Sequence, residues 1–153
     1  MRLLSVMLVG ALASAPACGG GGSSPGAPSG PAVLQVGGQY QITQQGIETS
    51  CGDGGATIPS VTATVTHTAG GDAFTMRDTG GTTFTGTVQT NGDFSATATF
   101  GPDASGNTFA QRLQGRFTAG GFTARLEVTV TPRACAFTRN WTAAKQGTPN
   151  VIP

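Results

Sequence analysis

From residue 32 onward, apolar and polar residues alternate with the two-residue period of a strand that buries one face. Val61-Thr62-Ala63-Thr64-Val65-Thr66-His67 shows it most plainly, with Val61, Ala63, Val65 and His67 on one side and three threonines on the other. Pairs able to adopt the positive φ of tight hairpin turns interrupt the alternation at Gly70-Gly71, Gly80-Gly81, Asn91-Gly92 and Gly120-Gly121. The pattern predicts eight strands, at Gln39–Gln45, Ser60–Thr68, Asp72–Arg77, Thr82–Thr90, Asp93–Phe100, Thr108–Phe117, Gly121–Thr131 and Cys135–Thr142. In this phase all eight phenylalanines point inward, whereas Thr, Arg112, Arg116, Arg125 and Glu127 point outward.

A sheet with one apolar face needs a second layer or closure on itself. The chain has few helix formers, so no helix is expected as a cover. Short strands joined by tight turns pair in sequence order. The expected fold is therefore all-β: a single antiparallel eight-stranded meander closing as an up-and-down barrel, which also removes exposed strand edges. Cys51 follows the first strand and Cys135 opens the eighth. In a closed meander those two points are neighbours, so a disulfide between them would staple the seam. The loop it closes, about 85 residues, is worth roughly 4–5 kcal/mol by chain entropy. The same bond could instead pin a loop across a sandwich.

The first 31 residues follow another logic. Arg2 precedes an apolar run from Leu3 to Leu12 and then small residues up to Ala17. That run is too short for a membrane-spanning helix, which needs about 20 residues, and it reads as a signal peptide over residues 1–17. Gly19 to Pro31 contains only Gly, Ser, Pro and Ala, a composition unable to bury enough surface to offset its ordering entropy. Residues 18–31 are expected to form an anchor cysteine and a flexible tether, and residues 32–153 the barrel domain. Ala15-Pro16-Ala17-Cys18 resembles the lipobox of bacterial lipoproteins, with Ala15 where leucine is commonest. The resemblance implies lipidation of Cys18 and membrane attachment through it. Gly19 after the cysteine, where that family often carries an inner-membrane retention Asp, implies the outer membrane or cell surface. Lipidation would also account for the odd number of cysteines, three. Ala13-Ser14-Ala15 and Ala15-Pro16-Ala17 equally suit an ordinary signal peptidase, which would yield a soluble secreted or periplasmic protein with a free thiol.

Charge narrows the function classes. The formal net charge is +1, and only 10% of residues are charged. No basic stripe is available to neutralise phosphates, so a nucleic-acid partner is not expected. Two cysteines and the distant His67 lack metal-ligand spacing. Asp53, Asp72, Asp78, Asp93 and Asp103 all sit at turns, which their backbone-bonding side chains explain. No nucleophile–base–acid set can be assembled, and no cofactor motif is present, so an enzyme is not expected. Oligomeric state is open.

Gly38-Gln39-Tyr40 resembles the first-strand Gly-x-Trp of lipocalin-like (calycin) barrels, with Tyr in place of Trp. The resemblance implies that Arg139, late in the last strand, stacks on Tyr40. Gln111 and Arg139 are the polar residues that fall on the apolar face, where a charge must be paired, stacked or near an end. Either Arg139 covers Tyr40, or it orients a ligand in an apolar cavity. The candidate ligand-contacting residues are Arg139, Gln111, Tyr40, Trp141 and His67, although His67 is more simply read as locally hydrogen-bonded. The small inward residues Ala63, Gly86, Ala96, Ala98, Gly115 and Ala124 leave interior volume, which the phenylalanine rings either fill or leave open. These readings describe a non-enzymatic envelope lipoprotein whose barrel binds a small apolar ligand or an envelope component. The alternative is a structural or interaction module with a solid core.

Overall fold

The computed structural model describes residues 31–52 and 60–153. The segments expected as signal peptide and tether, up to residue 30 and including Cys18, and Asp53 lie outside the described residues. Eight strands follow in order: β1 (Gly38–Thr49), β2 (Val61–His67), β3 (Ala73–Asp78), β4 (Thr83–Val88), β5 (Asp93–Phe100), β6 (Thr108–Thr118), β7 (Gly121–Thr131) and β8 (Cys135–Gln146). Each pairs antiparallel with the next, and β8 returns to β1, so one sheet closes into a barrel rather than splitting into a sandwich. The architecture is consistent with a calycin-like fold.

β5 and β7 end where the alternation predicts. β1 and β8 each continue past their predicted ends, Gln45 and Thr142, to Thr49 and Gln146. The reason is the seam. β1 pairs with β2 only over Gly38–Ile42, but with β8 from Gln39 to Thr49, with a register shift between Gly46 and Glu48. The added residues are largely polar or small and carry no strand signal of their own; ladder pairing to the partner supplies it. Cys51 and Cys135 are disulfide-bonded with Cα atoms 5.0 Å apart, at the end of this seam. Beside them the Ser50 amide donates to the Ala136 carbonyl (2.8 Å), and the Ala136 amide donates to Ser50 Oγ (2.8 Å).

The interior is aromatic. Tyr40, Phe84, Phe117, Phe122, Ile42, Met76 and Leu113 have essentially no exposure, and Phe74 and Phe94 are also buried. The phase that puts every phenylalanine inside holds for Phe100 as well, which continues the series Phe94, Ala96, Ala98 and lines the open end of the barrel. Phe100 ends β5 at the barrel rim, is 46% exposed and packs on the partly buried Phe109 at 5.9 Å between ring centroids. Gly86 and Gly115 leave no spare volume. A Cβ on Gly86 would overlap the Ser95 carbonyl oxygen, and one on Gly115 that of Thr123. The neighbouring strand occupies that space, and glycine is what allows such a close approach of backbones.

Candidate functional site

The two ends of the barrel differ. At the end where β1 starts, the segments flanking the strands fold across the opening. Gln35 and Val151 exchange backbone hydrogen bonds of 2.9 and 3.0 Å, and Leu34 and Val36 are buried below them. Under this cover lie Phe74, Phe94, Phe117 and Phe122, in edge and tilted contacts with centroids 4.6–5.8 Å apart. Tyr40 packs on Phe122 and Phe117, and its hydroxyl lies 2.6 Å from the Val36 carbonyl and 2.7 Å from Asn150 Oδ1. Burial pushes the Tyr40 phenol up to about 12, although the Asn150 contact works the other way. Asn150 Nδ2 donates to the carbonyls of Thr118 (2.8 Å) and Gly121 (3.3 Å).

The cation over Tyr40 is Lys145, not Arg139. Its Nζ sits 5.5 Å from the ring centroid and donates to Asn150 Oδ1 (2.6 Å) and the Gly37 carbonyl (2.7 Å). Register decides this outcome: Tyr40 lies opposite Lys145, whereas Arg139 lies opposite Gly46. A β8 that ends at Thr142 leaves Lys145 out of the strand and Arg139 as its only inward cation. Burial holds the Lys145 ammonium below its ordinary value.

His67 also belongs to this closed end. Its Nε2 lies 2.9 Å from the Gly71 carbonyl, and its Nδ1 lies 3.5 Å from the Val36 amide. Donation from Nε2 to the carbonyl leaves Nδ1 free to accept from the amide, so both ring nitrogens serve local backbone. Tyr40 and His67 therefore do not reach a common site with the other three candidates.

Arg139, Gln111 and Trp141 do meet, near the opposite end. There the mouth of the barrel holds a cavity of about 200 Å3 that is broadly open to solvent. Its apolar wall is Phe100, Phe109, Leu126, Val128, Phe137 and Trp141; its polar members are Gln44, Asp78, Thr82, Gln111 and Arg139. The residues come from β1, β3, β5, β6, β7 and β8 and from the β3–β4 turn. Gln44 was within reach of sequence reasoning, because it continues the inward series Tyr40, Ile42 by one more step. Asp78 and Thr82 were not, since a turn position carries no facing rule; Asp78 Oδ1 accepts the Thr82 amide at 2.9 Å.

Arg139 is half-buried. Nη1 donates to Gln44 Oε1 at 3.3 Å, and the guanidinium carbon stands 4.6 Å from the Phe137 ring centroid. Among the described residues no carboxylate lies within 4.0 Å of it. Desolvation lowers its proton affinity relative to an exposed arginine. Deeper along β8, Trp141 is 3% exposed and packs edge-on against Phe84 at 5.8 Å. Its indole Nε1 is buried without a hydrogen-bond partner among the described residues. No three His, Cys, Asp or Glu side chains among those residues gather where they could hold a metal ion. Compared with known proteins, the chain matches no family model, no curated protein and no solved structure.

Proposed function

We propose that this protein is a binding module of the cell envelope rather than an enzyme, lipid-anchored through Cys18, which holds a small and largely apolar molecule in the open end of its barrel. The supporting observation is the asymmetry of the interior. One end is packed with rings and covered by the chain's flanking segments, while the other retains about 200 Å3 of open space lined by aromatic, aliphatic and polar side chains. Concave sites with apolar walls and a few polar groups are where proteins hold small ligands. The Cys51–Cys135 disulfide fits an oxidising, exported environment.

Trp141 is the only tryptophan in the chain and lines the cavity, so its fluorescence reports occupancy. Native mass spectrometry of protein purified from the envelope should show a co-purifying small molecule. Removing that molecule should shift Trp141 emission, and adding it back should restore the original spectrum. A cavity that is empty on purification and gives no emission change across a library of small apolar molecules would end this reading. Replacing Cys18 with serine should release the protein from the membrane fraction; unchanged partitioning would refute the anchor.

A further inference from the structure

Arg139 is the one cation of the cavity lining, and no carboxylate among the described residues stands within ion-pair distance of it. Arg139 brings a full positive charge and five N–H groups, of which the structure satisfies one through Gln44 Oε1. That contact also uses the amide oxygen best placed to compensate it. Two positions along the same inward face, Trp141 holds a buried indole N–H with no acceptor among the described residues. A buried donor without a partner costs about 1–3 kcal/mol, and the Trp141 indole is the one such side-chain atom among the described residues; the half-buried Arg139 turns its remaining N–H groups toward the cavity without a counter-charge. The one carboxylate in the lining, Asp78, accepts the Thr82 amide in the β3–β4 turn and is not within ion-pair distance of Arg139.

A wholly neutral apolar ligand would complete the desolvation of Arg139 while offering it nothing. A carboxylate would supply charge-assisted, bidentate acceptors in the geometry a guanidinium prefers. Size sets the other limit. An apolar cavity of about 150 Å3 accepts benzene, so about 200 Å3 takes one ring or a short branched chain plus a carboxylate. Pockets for drug-sized ligands start at about 300 Å3, so a long acyl chain does not fit.

We infer that the ligand of the open end is a compact organic monoanion, one ring or a short apolar body bearing a carboxylate, with the carboxylate on Arg139 and the body against Phe137, Phe109 and Val128. This assignment rests on the cavity being a binding site, and the test separates the two. Benzoate, its neutral near-isostere benzyl alcohol, and palmitate are titrated by calorimetry into the full chain, the Arg139→Gln variant and the Gln44→Glu variant. Gln44→Glu keeps the arginine and the barrel but places a permanent carboxylate beside the guanidinium.

In the unaltered protein benzoate should bind about tenfold more tightly than benzyl alcohol, the size of a single charge-assisted hydrogen bond, and palmitate should not bind. Both variants should lose that preference, benzoate falling about tenfold relative to benzyl alcohol, while staying folded with a melting temperature within a few degrees of the unaltered protein. Equal binding of benzoate and benzyl alcohol would overturn the anion assignment and leave the cavity reading intact. So would a preference that survives in Gln44→Glu. Palmitate binding as tightly as benzoate would overturn the size limit. Failure of both ring compounds to bind would sink the assignment together with the cavity reading.

Discussion

β8 presents two cations to the barrel interior, and their different fates distinguish its two ends. Lys145, at the closed end, meets the Gly37 carbonyl, Asn150 Oδ1 and the face of Tyr40. Arg139, at the open end, meets one glutamine oxygen and one ring, beside empty space. Both are partly desolvated, and desolvation weakens the hold of each on its proton. An inward cation is therefore not in itself a functional signal. What separates structure from candidate site is whether other backbone arrives to satisfy it. At the closed end the segments around Val36 and Asn150 do so; at the open end no described segment does.

The strongest test of this contrast acts on the open end as architecture. Replacing Cys51 and Cys135 together with serine frees a loop of 84 residues, and chemical denaturation should show a loss of about 4–5 kcal/mol if the seam depends on chain entropy. Next comes the hub of the closed end. Asn150→Ala removes four hydrogen bonds, to Tyr40, Lys145, Thr118 and Gly121, and leaves buried groups unmatched. It should cost about 3 kcal/mol, whereas Arg139→Gln should cost under about 1 kcal/mol by the same measurement. Similar losses would erase the distinction between the two cations.

Tyr40→Phe is a gentler probe of the closed end, expected to cost about 1 kcal/mol through loss of the one hydroxyl proton shared between the Val36 carbonyl and Asn150 Oδ1. It also carries a pH signature. The folded phenol titrates at about 12 against an ordinary 10.0, so the unfolded chain releases its proton first as pH rises. The associated stability is complete below pH 10 and falls away as pH climbs through about 12. Tyr40 is the only tyrosine, so ultraviolet absorbance follows this transition without interference, and the phenylalanine variant should lose the corresponding slope in stability. The smallest effect on stability belongs to Gln111→Phe, which fills the cavity from β6. It should change unfolding free energy by under about 0.5 kcal/mol yet abolish any ligand-induced change in Trp141 emission. A large destabilisation there would mean that the open end is packed core and not spare volume.

Much of the fold can be read along the chain, because one-sided burial imprints a period of two and tight turns demand glycine. That suffices for the eight-strand order, for β5 and β7 to the residue, and for the pairing of Cys51 with Cys135. It also suffices to place Gln111, Arg139 and Trp141 on the inner face. It does not reveal which end of the barrel each reaches, because alternation encodes facing and not depth. Lys145 was invisible because Ala143-Ala144-Lys145-Gln146 has no strand signature of its own.

What can be read along the chain is the class of this protein: an alternating, glycine-punctuated all-β ribbon that must cover its one apolar face, by a second layer or by closure. That the ribbon closes into a barrel, sealed at one end and open at the other, emerges only in three dimensions. That outcome depends on register across the β1–β8 seam and on where the flanking segments come to rest. Both are set by contacts between residues about a hundred positions apart, such as Tyr40 with Asn150 at a separation of 110, and no local pattern records such contacts.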